Sequence, residues 1–422
     1  MNQKLLISVA AFLGLYLFTT GTSFAVFSYV VSPNSLTFIS PGDANADETN
    51  DQPREESKLR LLLDNSGPKT ESCPINGKKY TVVEKDAWEA RRPLLVMIEN
   101  HEDARPQSGL SSADVVYEAV AEGGITRFMG IFYCDAQQAE ITVGPVRSAR
   151  TYFMDWASEY SDFPLYAHVG GANCNHGCPP GKTQADALGQ LEKYGWVAFK
   201  NGLAVGNDLS QFSIGFPTFA RDYDRLYKDD GSQVDTEHTM YSSTEKLWDV
   251  AKQRGWTNVG DSGDAWDSEF VPWKFVEAGE VEKGDTAQIS YNFWESSPAG
   301  DFSVRWDYNA NDNIYRRFMA GEAHMDLNVE EQIMVKNVVV LFQKESNADN
   351  GYPGNVHLLY GTTGTGDGVL FQNGNVEEIT WEKEERTDRT LMYDSKGKEV
   401  NFVEGKIWIS IVPTYNVDQL SY

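Results

Sequence analysis

DVVYEAVAEGGITRFMGIFY, residues 114–133, can be read as a helix running into a strand or as two strands joined by a turn. The choice sets the architecture of everything around it. Apolar spacing over 114–122 fits either element, so periodicity alone does not separate them. β-branched Val115 and Val116 with Tyr117 favour a strand. Gly123-Gly124 then supplies the two positive-φ positions of a tight hairpin. Two long, apolar, antiparallel strands are the nucleus of a sheet.

Outward from this hairpin, strands and helices alternate. PLLVMIEN (93–100) reads as a buried strand ending in a polar loop, and EITVGPV (140–146) as another strand. A helix is expected over 148–160, where Ala149, Phe153, Trp156 and Tyr160 form an apolar stripe. PLYAHVGG (164–171) is a strand, TQADALGQLEKYG (183–195) a helix stopped by Gly195, and STEKLWDVAKQRG (243–255) a helix capped at Ser243 or Thr244. Beyond about 261 the runs become short, aromatic and β-branched, as in VRWDYN, NVVVLFQK and KIWISIVP. GTTGTGDG (361–368) lacks the lysine and the following helix of a phosphate loop and reads as a hairpin loop.

The expected class is therefore α+β. A layered α/β domain with a mixed sheet over 73–260 is followed by a β-rich domain, sandwich or barrel, over 261–422. Residues 1–4 form a cytoplasmic tip. Residues 5–31 are uncharged and apolar, long enough for a transmembrane anchor; cleavage after SFA at 23–25 is the alternative. Lys4 before this run places the rest of the chain outside the cell membrane. Residues 32–72 read as an acidic flexible linker.

The formal net charge of −26 excludes nucleic acid as a partner. Four cysteines in an exported chain suggest disulfides, with Cys174–Cys178 closing a short loop and Cys73 and Cys134 available to each other. His168, Cys174, His176 and Cys178 form the competing zinc set, which lacks a second ligand pair at standard spacing. No metal or cofactor is assigned. The G-x-S-x-G, H-E-x-x-H and Walker-type motifs are absent.

Ionisable residues instead gather at strand ends, where ligands collect in open α/β sheets. Asn100 and Arg105 follow the first strand, Asp114 opens the hairpin, and Glu122 and Arg127 belong to it. Arg147 and Arg150 straddle the expected helix start, with His168 closing a later strand. Arginines beside a helix N-terminus are mildly unfavourable until an anion arrives. The set Arg147, Arg150, Arg127, His168, Glu122, Asp114, Asn100 and Arg105 is the candidate ligand site; the bland account is mutual ion pairing.

RRPLLVMIENHEDARPQSGLSSADVVYEAVAEGGITRFMGIF (91–132), VGPVRSAR (143–150), YAHVGG (166–171) and EHTMY (237–241) resemble the bacterial YerB-like family, over about 73–256. YRRFMAGEAHMD (315–326), KNVVV (336–340) and GKIWISIVP (405–413) are similar to that family's C-terminal domain. The resemblance implies an extracytoplasmic, membrane-attached protein and no particular reaction. A lipidated Cys is absent near the N-terminus, where the apolar run takes its place. The expected function is binding of an anionic wall ligand or envelope protein. The alternative is an enzyme acting on a phosphorylated wall polymer, distantly similar to LytR-CpsA-Psr transferases, in which Asp114 would hold Mg²⁺. Against it, Ser148 stands where those enzymes carry a second acid.

Overall fold

The computed structural model describes residues 63–161, 163–174, 185–200, 203–260, 263–298, 300–352 and 355–422. The expected anchor at 5–31 and linker up to residue 62 lie outside them. No described helix is long and apolar enough to cross a membrane.

In chain order the elements that build the site are α1 (Val82–Glu89), β1 (Leu94–Glu99), β2 (Val115–Glu122) and β3 (Ile125–Phe132). Then come α2 (Thr151–Ala157), β4 (Leu165–His168), α3 (Ala187–Lys193), β5 (Asp208–Ser210) and α4 (Thr244–Gln253). The later half supplies β6 (Gln288–Tyr291), β7 (Val304–Asn309), β8 (Ile314–Met319), β9 (Glu322–Ala323) and β10 (Met334–Val335). It continues with β11 (Asn337–Gln343), β12 (Gly364–Gln372), β13 (Asn375–Lys383), β14 (Leu391–Tyr393) and β15 (Ile407–Pro413). The fold is mixed α+β with a β-rich C-terminal region.

The 114–133 stretch is two strands. β2 and β3 pair antiparallel around Gly123 and Gly124, whose φ values are 59° and 86°. Gly124 is needed twice over, because a Cβ there would come within 2.4 Å of the Ser297 hydroxyl. A ten-stranded sheet grows from this hairpin in the order β5-β4-β1-β3-β2-β15-β11-β12-β13-β14. The strands after residue 261 thus extend the sheet begun before it, and the described residues from 63 onward fall in one unit. β15 lies parallel to β2 with Ile407 beside Val115, and β11 lies parallel to β15. β11 and β15 are seven-residue runs buried on both faces, so each needs a neighbour along both edges.

Side chains alternate across β2, which puts Tyr117 and Glu118 on opposite faces. Trp156 of α2 stacks on Tyr117 at 5.9 Å, and the Tyr152 hydroxyl donates to the Val120 carbonyl at 2.6 Å. The opposite face is covered by the small antiparallel sheet β6-β7-β8-β9, with β10 on the side of β8. There Trp306 meets Trp408 edge-on at 5.5 Å. The C-terminal part is therefore neither a closed barrel nor a separate sandwich: one half of it lengthens the main sheet and the other half roofs it.

Three local expectations are corrected. The helix expected from 148 begins at Thr151, with extended Arg150 as its cap, because 144–149 is held in strand-like bridges, Gly144 to Ser108, Val146 to Ile98 of β1 and Ala149 to Gly171. The strand expected over 140–146 is confined to Thr142–Val143. The loop expected at 361–368 is strand from Gly364 onward; Gly366 is what lets the Trp381 indole of β13 cross it, since a Cβ would sit 2.5 Å from Trp381 Nε1. α1 and the short helix Gln211–Ile214 are not among the expected elements. α1 is set by a capping box, Thr81 and Glu84 bonding each other's backbone N–H.

Cys73 and Cys134 form a disulfide, S–S 2.09 Å, as the even cysteine count allowed. Cys174 is also disulfide-bonded, whereas Cys178, its expected partner, lies outside the described residues. Beside the first bridge, Asp135 meets Lys78 at 3.0 Å and Lys406 at 2.9 Å. Burial alone would raise the Asp135 carboxyl, but the two ammonium groups outweigh it and hold it well below the usual range. A depressed carboxyl stabilises the fold above its unfolded pKa, and that contribution is lost as pH falls through the folded value. Asp135→Asn should therefore lower stability near pH 7 by about 1–3 kcal/mol. The gap to wild type should begin to close below about pH 4, checked by urea melts at several pH values. A gap that is constant down to pH 2 would show that the charge is not responsible.

Candidate functional site

The corner begins where β1 and β3 run side by side with Glu99 opposite Arg127. The 144–150 segment lies across the end of β1. Glu99 N–H donates to the Pro145 carbonyl and Arg147 N–H to the Met97 carbonyl, both at 2.9 Å. On its other side Val169 N–H donates to the Arg147 carbonyl at 3.1 Å. Arg147 therefore sits in a wedge between the ends of β1 and β4, not in the first turn of a helix. α2 is seven residues long and begins at Thr151, three residues after the expected start.

Three guanidinium groups share two carboxylates here. Arg127 Nη1 donates to the Ser148 carbonyl at 3.0 Å and Nη2 to Glu122 Oε1 at 3.1 Å. Arg150 Nη1 donates to the Ala149 carbonyl at 2.9 Å, and its Nη2 takes the other Glu122 oxygen. Arg147 Nε lies 2.9 Å from Glu99 Oε1, and Glu99 Oε2 meets His238 Nδ1 at 2.9 Å. Arg127 and Arg150 are 1 % and 5 % exposed, while the Arg147 side chain is 27 % exposed and forms the mouth.

Burial lowers the pKa of Arg127 and of Arg150. Burial alone would raise Glu99, but the His238 hydrogen bond and the Arg147 charge win and hold it below its ordinary value. Among the described residues, Arg127 Nε, Arg150 Nε and the buried Tyr166 hydroxyl have no hydrogen-bond partner. His357 Nδ1 is likewise unpaired; burial and the nearby Arg150 and Arg127 push its pKa down to about 4. Three positive and two negative side chains leave an excess of one positive charge at this corner. That excess sits inside a chain of net charge −26.

The remaining expected residues lie elsewhere. His168 is 1 % exposed, with both ring nitrogens engaged at 2.7 Å, by Asp208 and by the Gly170 carbonyl. It braces β4 against β5; Cys174 of the zinc alternative is disulfide-bonded, and His176 and Cys178 lie outside the described residues. Asn100 and Arg105 serve the opposite face of the sheet. Arg105 donates to Asn100 Oδ1 at 3.2 Å and lies over Phe302 at 4.8 Å, and burial lowers its pKa to about 10. The Asp114 carboxylate is fully buried and accepts the N–H groups of Tyr133, Cys134 and Asp135 at 2.7–3.1 Å. Burial and Asp135 push it up to about 7. Its oxygens hold the turn after β3.

Glu99, His238, Tyr166 and His357 join the corner without having been in the expected set. Glu99 and His238 both lie in stretches quoted above, but 139 residues separate them, so spacing could not pair them.

The fold and corner define an α+β protein built on a large mixed sheet, with a buried arginine–carboxylate cluster at one strand end. Residues 80–257 match the N-terminal domain, and residues 292–409 the C-terminal domain, of the protein family of unknown function DUF3048. YerB of Bacillus subtilis (strain 168) is 30 % identical over 351 residues, covering 83 % of this chain and 88 % of that protein. The crystal structure of Bacillus subtilis YerB superposes with a TM-score of 0.62 at 27 % identity, covering 83 % of this chain and 99 % of that one. The chain belongs to the YerB-like, DUF3048 family.

Proposed function

We propose that this chain is an extracytoplasmic envelope protein, attached to the membrane through residues 5–31, that binds an anionic group of a wall polymer or envelope partner at Arg127, Arg147 and Arg150. Its relative YerB bears the name of a lipoprotein, and the disulfide fits an oxidising compartment. The observation that carries the binding reading is the uncompensated guanidinium charge, with buried Nε donors left unused. Burying a charge and a donor unpaired is costly. A phosphate or carboxylate oxygen would satisfy both, and arginine's fork suits such planar or tetrahedral anions.

Arg147 is the side chain to test, because it is the most exposed of the three and Glu99 keeps His238 without it. Arg147→Ala should change stability by no more than about 0.5 kcal/mol. It should weaken binding of inorganic phosphate, or of short glycerol-phosphate oligomers, by about 10-fold or more. Calorimetric titration and thermal melts measure the two. A clear drop in melting temperature with unchanged ligand retention would mean that the arginines serve the fold alone.

A further inference from the structure

On the far side of Glu99 from the arginines, two imidazoles and a carboxylate converge. His101 lies two residues past the end of β1, Asp103 lies in the single turn Glu102–Ala104, and His238 ends the turn Thr236–His238. The two rings stack with centroids 4.8 Å apart and planes 16° from parallel. One ligating atom from each of His101, Asp103 and His238 lies within 4.8 Å of the others. We propose that these three side chains bind a divalent transition-metal ion of the zinc class, with Glu99 as the carboxylate that orients His238.

The chemistry of the donor set supports this. Two imidazoles and one carboxylate suit Zn²⁺ and its first-row neighbours, and three protein ligands leave a coordination position for water or a substrate oxygen. Metal-bound histidines commonly give their second nitrogen to a carboxylate, which fixes the tautomer and raises the basicity of the ligating nitrogen. His238 already has that arrangement: Nδ1 meets Glu99 at 2.9 Å, so Nε2 is the atom left to ligate. The side chain is 5 % exposed and held in place. His101 and Asp103 are partly exposed on a short turn, and the His101 ring must turn out of its stack on His238 for both in-plane lone pairs to meet one ion.

Two present contacts compete with the ion. The Asp103 N–H donates to His101 Nδ1 at 3.2 Å, and Lys228 Nζ lies 3.3 Å from Asp103 Oδ2. The first is long. The second involves a lysine also shared with Asp235 at 3.2 Å, which can retain it when Asp103 turns to a metal. Metal binding here goes beyond the anion site and does not depend on it.

The test uses the full chain without a polyhistidine tag, stripped with chelator and titrated with Zn²⁺ in phosphate-free buffer. One ion per chain is expected. His101→Ala and His238→Ala should each weaken binding by more than about 10-fold, and Glu99→Gln by about 10–100-fold. Should His238→Ala fail to fold, the partly exposed pair His101→Ala and Asp103→Ala carries the same test. Absence of Zn²⁺ binding, or an undiminished ion in the His101→Ala/Asp103→Ala double variant, would overturn the proposal. Neither result touches the Arg147 titration, which is run with phosphate and no metal.

Discussion

Arg317→Met is expected to destabilise the protein by about 3–5 kcal/mol, and Glu118→Gln by a similar amount. The two side chains meet at 2.6 Å and both are fully buried. Glu118 projects from β2 on the face away from α2, and Arg317 from β8 in the roof. Every remaining oxygen of Glu118 is used: Oε1 accepts from the Thr126 hydroxyl at 2.9 Å, and Oε2 also accepts from Trp408 Nε1 at 3.0 Å. Arg317 Nη1 meets His324 Nδ1 at 2.6 Å, and His324 Nε2 meets Gln107 Oε1 at 2.7 Å. Burial and the adjacent Arg317 hold the His324 pKa well below its ordinary value. The neutral ring can therefore accept from Arg317 at Nδ1 and donate to Gln107 at Nε2. The guanidinium also lies 4.5 Å from the Trp408 ring.

Removing one partner leaves a charge in a site without water, which is why the single changes cost more than the pair is worth. The Glu118→Gln/Arg317→Met double variant should accordingly be more stable than the sum of the singles predicts. Urea unfolding of the four proteins measures this. Single variants within about 1 kcal/mol of wild type would mean that the roof is held by apolar packing alone.

Loss of the Cys73–Cys134 bridge should cost about 4 kcal/mol, the chain-entropy value for closing a loop of its length. The cysteines are 61 residues apart, and the loop contains α1, β1, β2 and β3. The bridge ties the 71–80 ribbon to the turn after β3, beside the amide cradle of Asp114. Cys134→Ser compared with wild type under oxidising conditions gives the cost by denaturant titration. Mass spectrometry without reductant on protein from cells should find Cys73 and Cys134 joined. Free thiols there would contradict both the pairing and the extracytoplasmic location.

Residues 115–132 show how far local chemistry reaches. β-branched residues and a glycine pair state their conformation within twenty positions, because propensity and turn geometry are short-range. α4 is legible for the same reason, with Ser243 capping and Gly255 following its end. The helix expected over 148–160 starts later because Arg147 bonds Met97 of β1 and Ala149 bonds Gly170 just beyond β4, and tertiary hydrogen bonds override a periodic stripe. At the corner, the sequence marks Arg127, Arg147, Arg150 and Glu122 as charged residues at strand ends. It does not say whether each serves a ligand or a neighbour, since that depends on which carboxylate closes on it.

The sequence by itself determined the α+β character, the hairpin, the abundance of short strands after residue 261, the family and the availability of Cys73 and Cys134 to each other. All of these rest on residue identity or on contacts a few positions apart. Only the tertiary structure decided that β15 lies beside β2, that Arg317 answers Glu118, and that His238 meets Glu99 and stacks on His101. Strand edges carry the same N–H and C=O groups whatever their side chains, so nothing local tells Val115 that its neighbour is Ile407. The partner of a buried charge is fixed only when the two sheets close over it, and then by the cost of leaving that charge alone.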